Sequence, residues 1–247
     1  MSKAYGMQTK AEWDAAWRKW FERYSRSLPQ IGMWIHCNYG SECSTFLEIG
    51  AGSARESRYL ARYAAQVYCV DYAPAVVEMV NASGPPSNLI AKTMDAFQLD
   101  VADRAVDCTF HKGFWVLFAS DHDLGRLLRE QVRVSDKVAL ALVHNGRNRR
   151  MVADFTERAK NDDLFNIRFF DPRWIQEFVK KSLAADGVAA DVRIRKYGGA
   201  GWMYRWPWPG FLSSLRDRVA TFIYACLPWS RVESIVVEIR RQTRKVK

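Results

Sequence analysis

The sequence predicts an α/β fold in which a mostly parallel, seven-stranded sheet is covered by helices on both faces, and three observations predict it. Short runs rich in Val, Ile, Leu and Phe recur between stretches of helical periodicity, the alternation that builds βαβ units. Such runs need cover on both faces. A tight glycine turn, Gly50-Ala51-Gly52, joins the first run to the helix after it. With 247 residues, 49% hydrophobic and 26% charged, the chain can fill one large core plus a small accessory segment.

The elements follow in order. From Lys10 to Tyr24 the residues Trp13, Trp17, Trp20, Phe21 and Tyr24 fall at helical spacing, opposite Glu12, Asp14, Arg18, Lys19, Glu22 and Arg23. This amphipathic helix ends before Pro29 and Gly32, and a short apolar piece, Met33 to Tyr39, completes a helical cap or lid over residues 1–42. The main domain, 43–247, then offers strands at Ser44–Ile49, Gln66–Val70, Asn88–Thr93, Val106–Phe110, Val138–Val143, Ala190–Tyr197 and Ser234–Arg240. Helices are expected between most of the first five strands, and further on over Asn148–Lys160, Pro172–Ala185 and Phe211–Leu227. GGAGWMYRWPWPG cannot be regular structure, because Pro207 and Pro209 remove backbone donors, so a substrate-covering insertion is expected around 198–230.

Lys and Arg number 37 against 27 Asp and Glu, and the net charge of +10 draws acidic ligands without choosing among them. The five cysteines form no CxxC pair and are odd in number, which suits a reducing cytoplasm. The start lacks an uninterrupted apolar region and no stretch reaches the roughly 18 apolar residues of a membrane span, so export and insertion are not expected.

In FLEIGAGSARESRYLARYAAQVYCVDY a strand, a glycine turn, a helix and a second strand ending in Asp71 form one βαβ half-unit. Gly50 and Gly52 allow a ligand to approach the main chain, and Asp71 follows about 20 residues on, where a carboxylate meets a ribose diol. A dinucleotide fits poorly: Arg55 stands where the third glycine of GxGxxG belongs, and Glu48 is awkward beside a pyrophosphate. An acid there suits a ligand carrying an ammonium and a sulfonium.

Here the chain resembles the class I methyltransferases, whose first motif reads Glu48, Ile49, Gly50, Ala51, Gly52 in this sequence. Asp71 with Tyr72 falls where that family holds the ribose and flanks the adenine, and Asp95, Ala96 and Phe97 where an acid meets the adenine amino group. Asp107 matches the start of the fourth strand, and LLREQVRVSDKVALALVHN the helix and fifth strand, so the likeness runs from Thr45 to Asn145. It implies a Rossmann-like sheet with an antiparallel last strand. It also implies S-adenosylmethionine as cofactor, S-adenosylhomocysteine as product and no metal, with Glu48, Gly50, Gly52, Asp71, Tyr72, Asp95, Ala96 and His111 against the cofactor. Ala54 departs from a common third glycine, and Ser135, Asp136 and Lys137 replace the usual Pro-Gly-Gly turn.

Ligands of open α/β sheets lie outside the carboxyl ends of the strands, which puts His111 with Lys112 and His144 with Asn145 at the reacting methyl. His144 and His111 are the candidate catalytic bases, against the plainer reading of hydrogen-bonded strand-end residues. Lys112, Asn145, Arg168, Tyr204, Arg205 and Trp206 are the candidate acceptor contacts, the bases among them answering an acidic group. Asp121 or Asp123 beside His122 reads as a helix N-cap rather than a metal ligand, and His36 as buried or part of a lid. His111-Lys112-Gly113-Phe114 differs from the Asn/Asp-Pro-Pro-aromatic sequence of enzymes that methylate base amines, and Cys108 lies inside a strand with no neighbouring proline. For the Trp stripe of the first helix, core packing is the stronger reading, and for the Trp-rich loop a pocket wall.

The leading expectation is O-methylation of a small or carrier-linked hydroxylated acceptor, a sugar or another metabolite. An RNA methyltransferase is the enzyme alternative, supported by the charge and by Arg240, Arg241, Arg244, Lys245 and Lys247. A non-catalytic cofactor-binding module and peripheral membrane contact through FLSSLRDRVATFIYACLPW are the others.

Overall fold

The computed structural model describes residues 9–204 and 213–241, with the side chains of Ser213 and Ser214 left aside. Two helices, α1 (Lys10–Ser25) and α2 (Gln30–Tyr39), precede the alternating part. That part runs β1 (Thr45–Ile49), α3 (Arg55–Leu60), β2 (Gln66–Asp71), α4 (Pro74–Ala82), β3 (Leu89–Thr93), β4 (Val106–Lys112), α5 (Asp121–Val134) and β5 (Ser135–His144). It continues through α6 (Arg149–Arg158), α7 (Pro172–Ala185), β6 (Ala190–Tyr197) and α8 (Ser213–Cys226) to β7 (Ser234–Arg241).

The strands order as β3-β2-β1-β4-β5-β7-β6. β1 to β5 pair in parallel, and β7 runs antiparallel to both of its neighbours. The sheet is therefore the seven-stranded, mostly parallel one with an antiparallel last strand that the sequence predicts. Chain order reverses between β1 and β4, so their carboxyl ends splay apart into a crevice.

One face buries Ile31, Trp34 and Ile35 of α2, Leu60 of α3, Val76 and Val80 of α4 and Tyr224 of α8 against Phe46, Cys108, Phe110 and Leu140. The other buries Leu124, Leu127 and Leu128 of α5 and Ile175, Val179 and Leu183 of α7 against Ala139, Ala141 and Val237. At about 1.5–3 kcal/mol per fully buried large apolar side chain, these two layers dominate the stability.

Several boundaries differ from the expectation. Gly32 does not break a helix but lies within α2, where its N–H donates to Glu56 Oε2 (2.7 Å) and an added Cβ would lie 2.9 Å from the Glu56 carbonyl. It lets α2 press onto α3. With no Pro-Gly-Gly turn, α5 runs straight into β5: Ser135 takes extended angles, and its Oγ bonds the Gln131 carbonyl at 2.7 Å and Thr109 Oγ1 at 2.6 Å. Ser120, rather than Asp121 or Asp123, caps α5.

Ala54, in place of the common third glycine, adopts φ +50° and is fully buried. A methyl group in the left-handed region costs about 1 kcal/mol, which the packing around α3 offsets.

α1 buries none of its residues and is fastened at its edges. A capping box between Thr9 and Glu12 starts it, and Asp14 Oδ1 accepts the Ala75 N–H (3.1 Å), capping α4 from a distance where Ala73 offers no side-chain cap. Lys10 Nζ sits 4.4 Å from the centre of the Tyr72 ring.

Candidate functional site

A cavity of about 570 Å³ opens at the carboxyl ends of β1, β2, β4 and β5. The glycine turn forms its floor. Gly50 and Gly52 have φ of +65° and +53°, and a Cβ on either would collide with a ring, Phe114 at 2.5 Å over Gly50 and Trp17 at 2.2 Å over Gly52. Glycine is thus required twice over, by its backbone angles and by the approach of these rings.

Asp71 closes this floor. Its Oδ2 accepts the Gly52 N–H (2.9 Å) and its Oδ1 the Ala73 N–H (3.0 Å), leaving further lone pairs toward the cavity it lines. Burial raises its pKa, and the bonds from Ala73, Gly52 and Tyr72 oppose that rise. Tyr72, exposed at the rim, and Met94, Asp95, Ala96 and Phe97 continue the same wall. Asp95 Oδ1 accepts the Phe97 N–H at 2.9 Å, which folds the turn after β3 toward the cavity.

Glu48 lies beneath, 4% exposed, its Oε2 accepting from the Ser57 N–H (3.2 Å) and Oγ (2.5 Å). Burial pushes its pKa up to about 8, helped by neighbouring Glu56 and opposed by Ser57 and Arg55. Glu56, missed in the sequence, also lines the cavity; it holds Gly32 through one oxygen and Arg55 Nε (2.7 Å) through the other. Arg55 further bonds Ser27 Oγ, tying the α1–α2 connection to the floor.

Lys112 and His144 line the cavity at the ends of β4 and β5, with Lys112 within reach of the charges of Arg55, Glu56 and Glu48. Lys112 makes no hydrogen bond or ion pair among the described residues; solvent reaches its side chain through the cavity mouth, and the surrounding walls, followed by the charge of Arg55, lower its pKa. His144 packs against Phe155 (5.0 Å) and Phe169 (6.1 Å) and lines the cavity, with Nδ1 buried and unpartnered. Burial, then the charge of Lys112, lowers its pKa to about 4, so at neutral pH the imidazole is uncharged.

Two leaves cover the cavity. Trp13, Trp17 and Tyr24 of α1 form one, and Phe155 of α6 with Leu164, Phe165 and Ile167 the other. Asp162 caps the 3-10 turn Asp163–Phe165 and reaches Lys19 of α1 at 3.5 Å, joining the leaves at the surface. The Trp stripe does pack against the core as expected, through Trp13, Trp17 and Phe21, and Trp13, Trp17 and Tyr24 also wall the cavity.

Several expected site residues lie elsewhere. His111 is fully buried and off the cavity wall, its ring against Phe114 and Trp115 and neither nitrogen bonded among the described residues. Burial lowers its pKa to about 3. It can neither touch a ligand in the cavity nor take its proton.

Asn145 is also fully buried, its amide donating to the carbonyls of Trp229 (2.7 Å) and Val232 (2.9 Å) and its oxygen accepting from Arg147 N–H (3.0 Å). It anchors the segment before β7. Arg168 bonds the Ala119 carbonyl (3.0 Å) and Asp121 (2.8 Å) and stacks on Trp174, away from the cavity.

Tyr204 packs under the Arg216 guanidinium (4.7 Å) and does not reach the cavity either. Arg205 and Trp206 lie outside the described residues. Among those described in 198–230, none lines the cavity; α8 rests instead on α2 and β6, so α1 and the α6 region cover the site in place of the expected insertion. His36 stacks on Tyr63 at 4.1 Å, and His122 is exposed beside Asp123.

Residues 47–142 match the family model described as a methyltransferase domain. No curated protein matches the chain. Among solved structures, an S-adenosylmethionine-dependent methyltransferase from Archaeoglobus fulgidus is similar at 13% identity over 91% of this chain and 99% of the other, with a TM-score of 0.62. A chain from the Haloferax volcanii complex of the Trm112 methyltransferase activator with a methyltransferase is similar at 12% identity over 96% and 99%, with a TM-score of 0.59. The geranyl diphosphate C-methyltransferase of Streptomyces coelicolor A3(2), solved with Mg2+, geranyl diphosphate and S-adenosyl-L-homocysteine, is similar at 12% identity over 81% and 71%, with a TM-score of 0.51. At these identities the likeness is one of fold. Residues 47–142 thus match a methyltransferase domain, and the fold around them is the Rossmann-like one of these neighbours.

Because His111 is sealed in apolar surroundings without a partner, His111→Leu should leave the melting temperature unchanged or raise it. A fall of several degrees in thermal unfolding would show that the imidazole holds a bond this packing lacks.

Proposed function

We propose that this methyltransferase domain uses S-adenosylmethionine to O-methylate a small or carrier-linked hydroxylated acceptor. The observation that carries the reading is one cavity whose lining combines acids around the glycine turn and the ends of β2 and β3 with an apolar set, and in which Lys112 and His144 stand at the ends of β4 and β5.

The acids suit this cofactor. The charged lining residues around the turn and the ends of β2 and β3 are Glu48, Glu56, Asp71 and Asp95 with Arg55, a set that favours a cationic nucleoside over a phosphate-bearing one. Asp71 would take the ribose hydroxyls on its remaining lone pairs, Tyr72 and Ala96 to Phe97 would flank the adenine with Asp95 near its amino group, and Glu48 would face the ammonium. Bound there, S-adenosylmethionine supplies a methyl group on a positively charged sulfur, open to in-line displacement without a metal.

In the apolar set, Leu117, Phe118, Phe155, Leu164, Phe165 and Ile167 offer few polar groups. They support an acceptor with an apolar body over a bare sugar. The covering leaves from α1 and α6 support a small acceptor over an RNA strand.

The neutral His144 takes the hydroxyl proton as the oxygen is alkylated, and the Lys112 ammonium stabilises the negative charge that develops there. A pKa near 4 keeps His144 unprotonated across the neutral range, at the cost of basicity, so it takes the proton only as the oxygen is alkylated and becomes acidic.

Calorimetric titration with S-adenosylmethionine should show Asp71→Ala weakening binding at least tenfold, about 1.4 kcal/mol or more. Unchanged affinity would remove the ribose assignment.

Glu48 is largely protonated below pH 8, and a bound cation favours its carboxylate, so binding should release a proton. Affinity should therefore rise between about pH 6 and about pH 7, with Glu48→Gln weaker and flat over that range. An equal slope in both proteins contradicts the Glu48 assignment.

With an acceptor found by screening hydroxylated apolar compounds for labelled methyl transfer, His144→Ala and Lys112→Met should each lower kcat at least tenfold, roughly the smaller end of acid–base effects. The cofactor Kd should stay within about threefold. Full turnover in both variants would end their proposed roles while leaving cofactor binding intact.

A further inference from the structure

α8 buries an ion pair beside its apolar inward residues and leaves an apolar stripe outside. Its inward face carries Arg216 and Asp217, 8% and 3% exposed, paired at 3.0 Å and packed with Ala220 and Tyr224. Its outward face carries Leu215, Val219, Phe222 and Cys226 at helical spacing, with Phe222 71% and Leu215 49% exposed. Burying an ion pair costs desolvation, and exposing a Phe and a Leu forgoes their transfer out of water. Ala220 and Tyr224 hold the inward face to the core, and the outer apolar stripe is surplus surface of the kind that another surface covers.

The surroundings say which surface. Trp202, 65% exposed, lies two residues before Tyr204, which packs under Arg216 of α8. Among the described residues from 198 to 232, the sole acid is the buried Asp217, while Arg218 and Arg231 are exposed. An apolar stripe with basic neighbours and no exposed acid on α8 itself, Glu233 beyond Arg231 being the nearest exposed acid in sequence, on a chain of net charge +10, complements an anionic lipid surface. A second copy of the chain is a poorer occupant, since face-to-face pairing would set Arg218 against Arg218 with no acid to answer either. No described helix is long and apolar enough to cross a membrane, which leaves contact in the interfacial plane.

We propose that the outer face of α8, through Leu215, Arg218, Val219 and Phe222 together with Trp202, docks the protein onto the surface of an anionic bilayer. The inference is independent of the acceptor and of the methyl-transfer reading.

The test is co-sedimentation of the full chain with phosphatidylcholine vesicles containing about 30% phosphatidylglycerol, and with phosphatidylcholine alone. The expected result is binding to the anionic vesicles, weakened by salt and at least tenfold weaker to the neutral ones. Phe222→Glu and, separately, Val219→Glu should each lower binding at least tenfold with unchanged melting temperature. Both positions are exposed, so neither substitution disturbs the core. No sedimentation with anionic vesicles overturns the proposal, as does wild-type binding by both variants, which would assign the contact to some other basic segment. A stable dimer in analytical ultracentrifugation that Phe222→Glu dissociates would also overturn it, by making a second copy the occupant.

Discussion

The carboxylate of Asp71 joins two turns that the rest of the site depends on. By accepting from Gly52 and from Ala73 it locks the β1–α3 turn to the end of β2 and the start of α4. The parallel register of β1 between β2 and β4 sets these ends at one height, so a single side chain can span them. Gly50 then presents backbone to the cavity beneath Phe114, while Gly52, expected to meet the cofactor, lies behind the lining under Trp17 with its N–H given to Asp71. From this clasp follow the position of the floor, the reach of α1, capped onto α4 through Asp14, and the direction in which the crevice opens.

Burial does different things at two places in the cavity. At the floor it holds the Glu48 carboxyl near neutrality, so that the arrival of positive charge is what ionises it. At the ends of β4 and β5 it keeps His144 uncharged beside Lys112, so that a neutral imidazole stands next to a cation. The same low dielectric surrounds both, and the sign of each effect follows from which protonation state carries charge. The α8 face is the counterpart on the outside, where the chain leaves apolar surface in water and buries an ion pair.

Much of this was legible in the sequence, because the signals were local. The glycine turn, the strand ending in Asp71 and the turn at Asp95 to Phe97 are short segments whose geometry follows from adjacent residues, and all of them line the cavity. The strand runs and the amphipathic α1 were equally readable from period alone. Phe155, Leu164 and Phe165 were not, since single apolar residues in a polar helix and its following turn carry no periodic signal. Glu56 was hidden for a similar reason: an acid in the first turn of a helix reads as a dipole partner, and only the approach of Gly32 shows that it is buried.

By itself the sequence determined the alternation, the position of the nucleotide-type turn and the order of the motifs along it, since each is encoded within a few residues by backbone preference and hydrophobic period. Only the tertiary structure decided which polar residues beyond those strand ends meet the cavity. Neighbours along a strand point to opposite sides, so Lys112 faces the site while His111 is sealed under Phe114 and Trp115. Asn145 has its amide bonded to carbonyls 84 and 87 residues away, partners that no local pattern announces. Long-range hydrogen bonds and the choice of face are settled when the layers pack, and that is why the role of a side chain at a strand end is read from the fold rather than from its place in the chain.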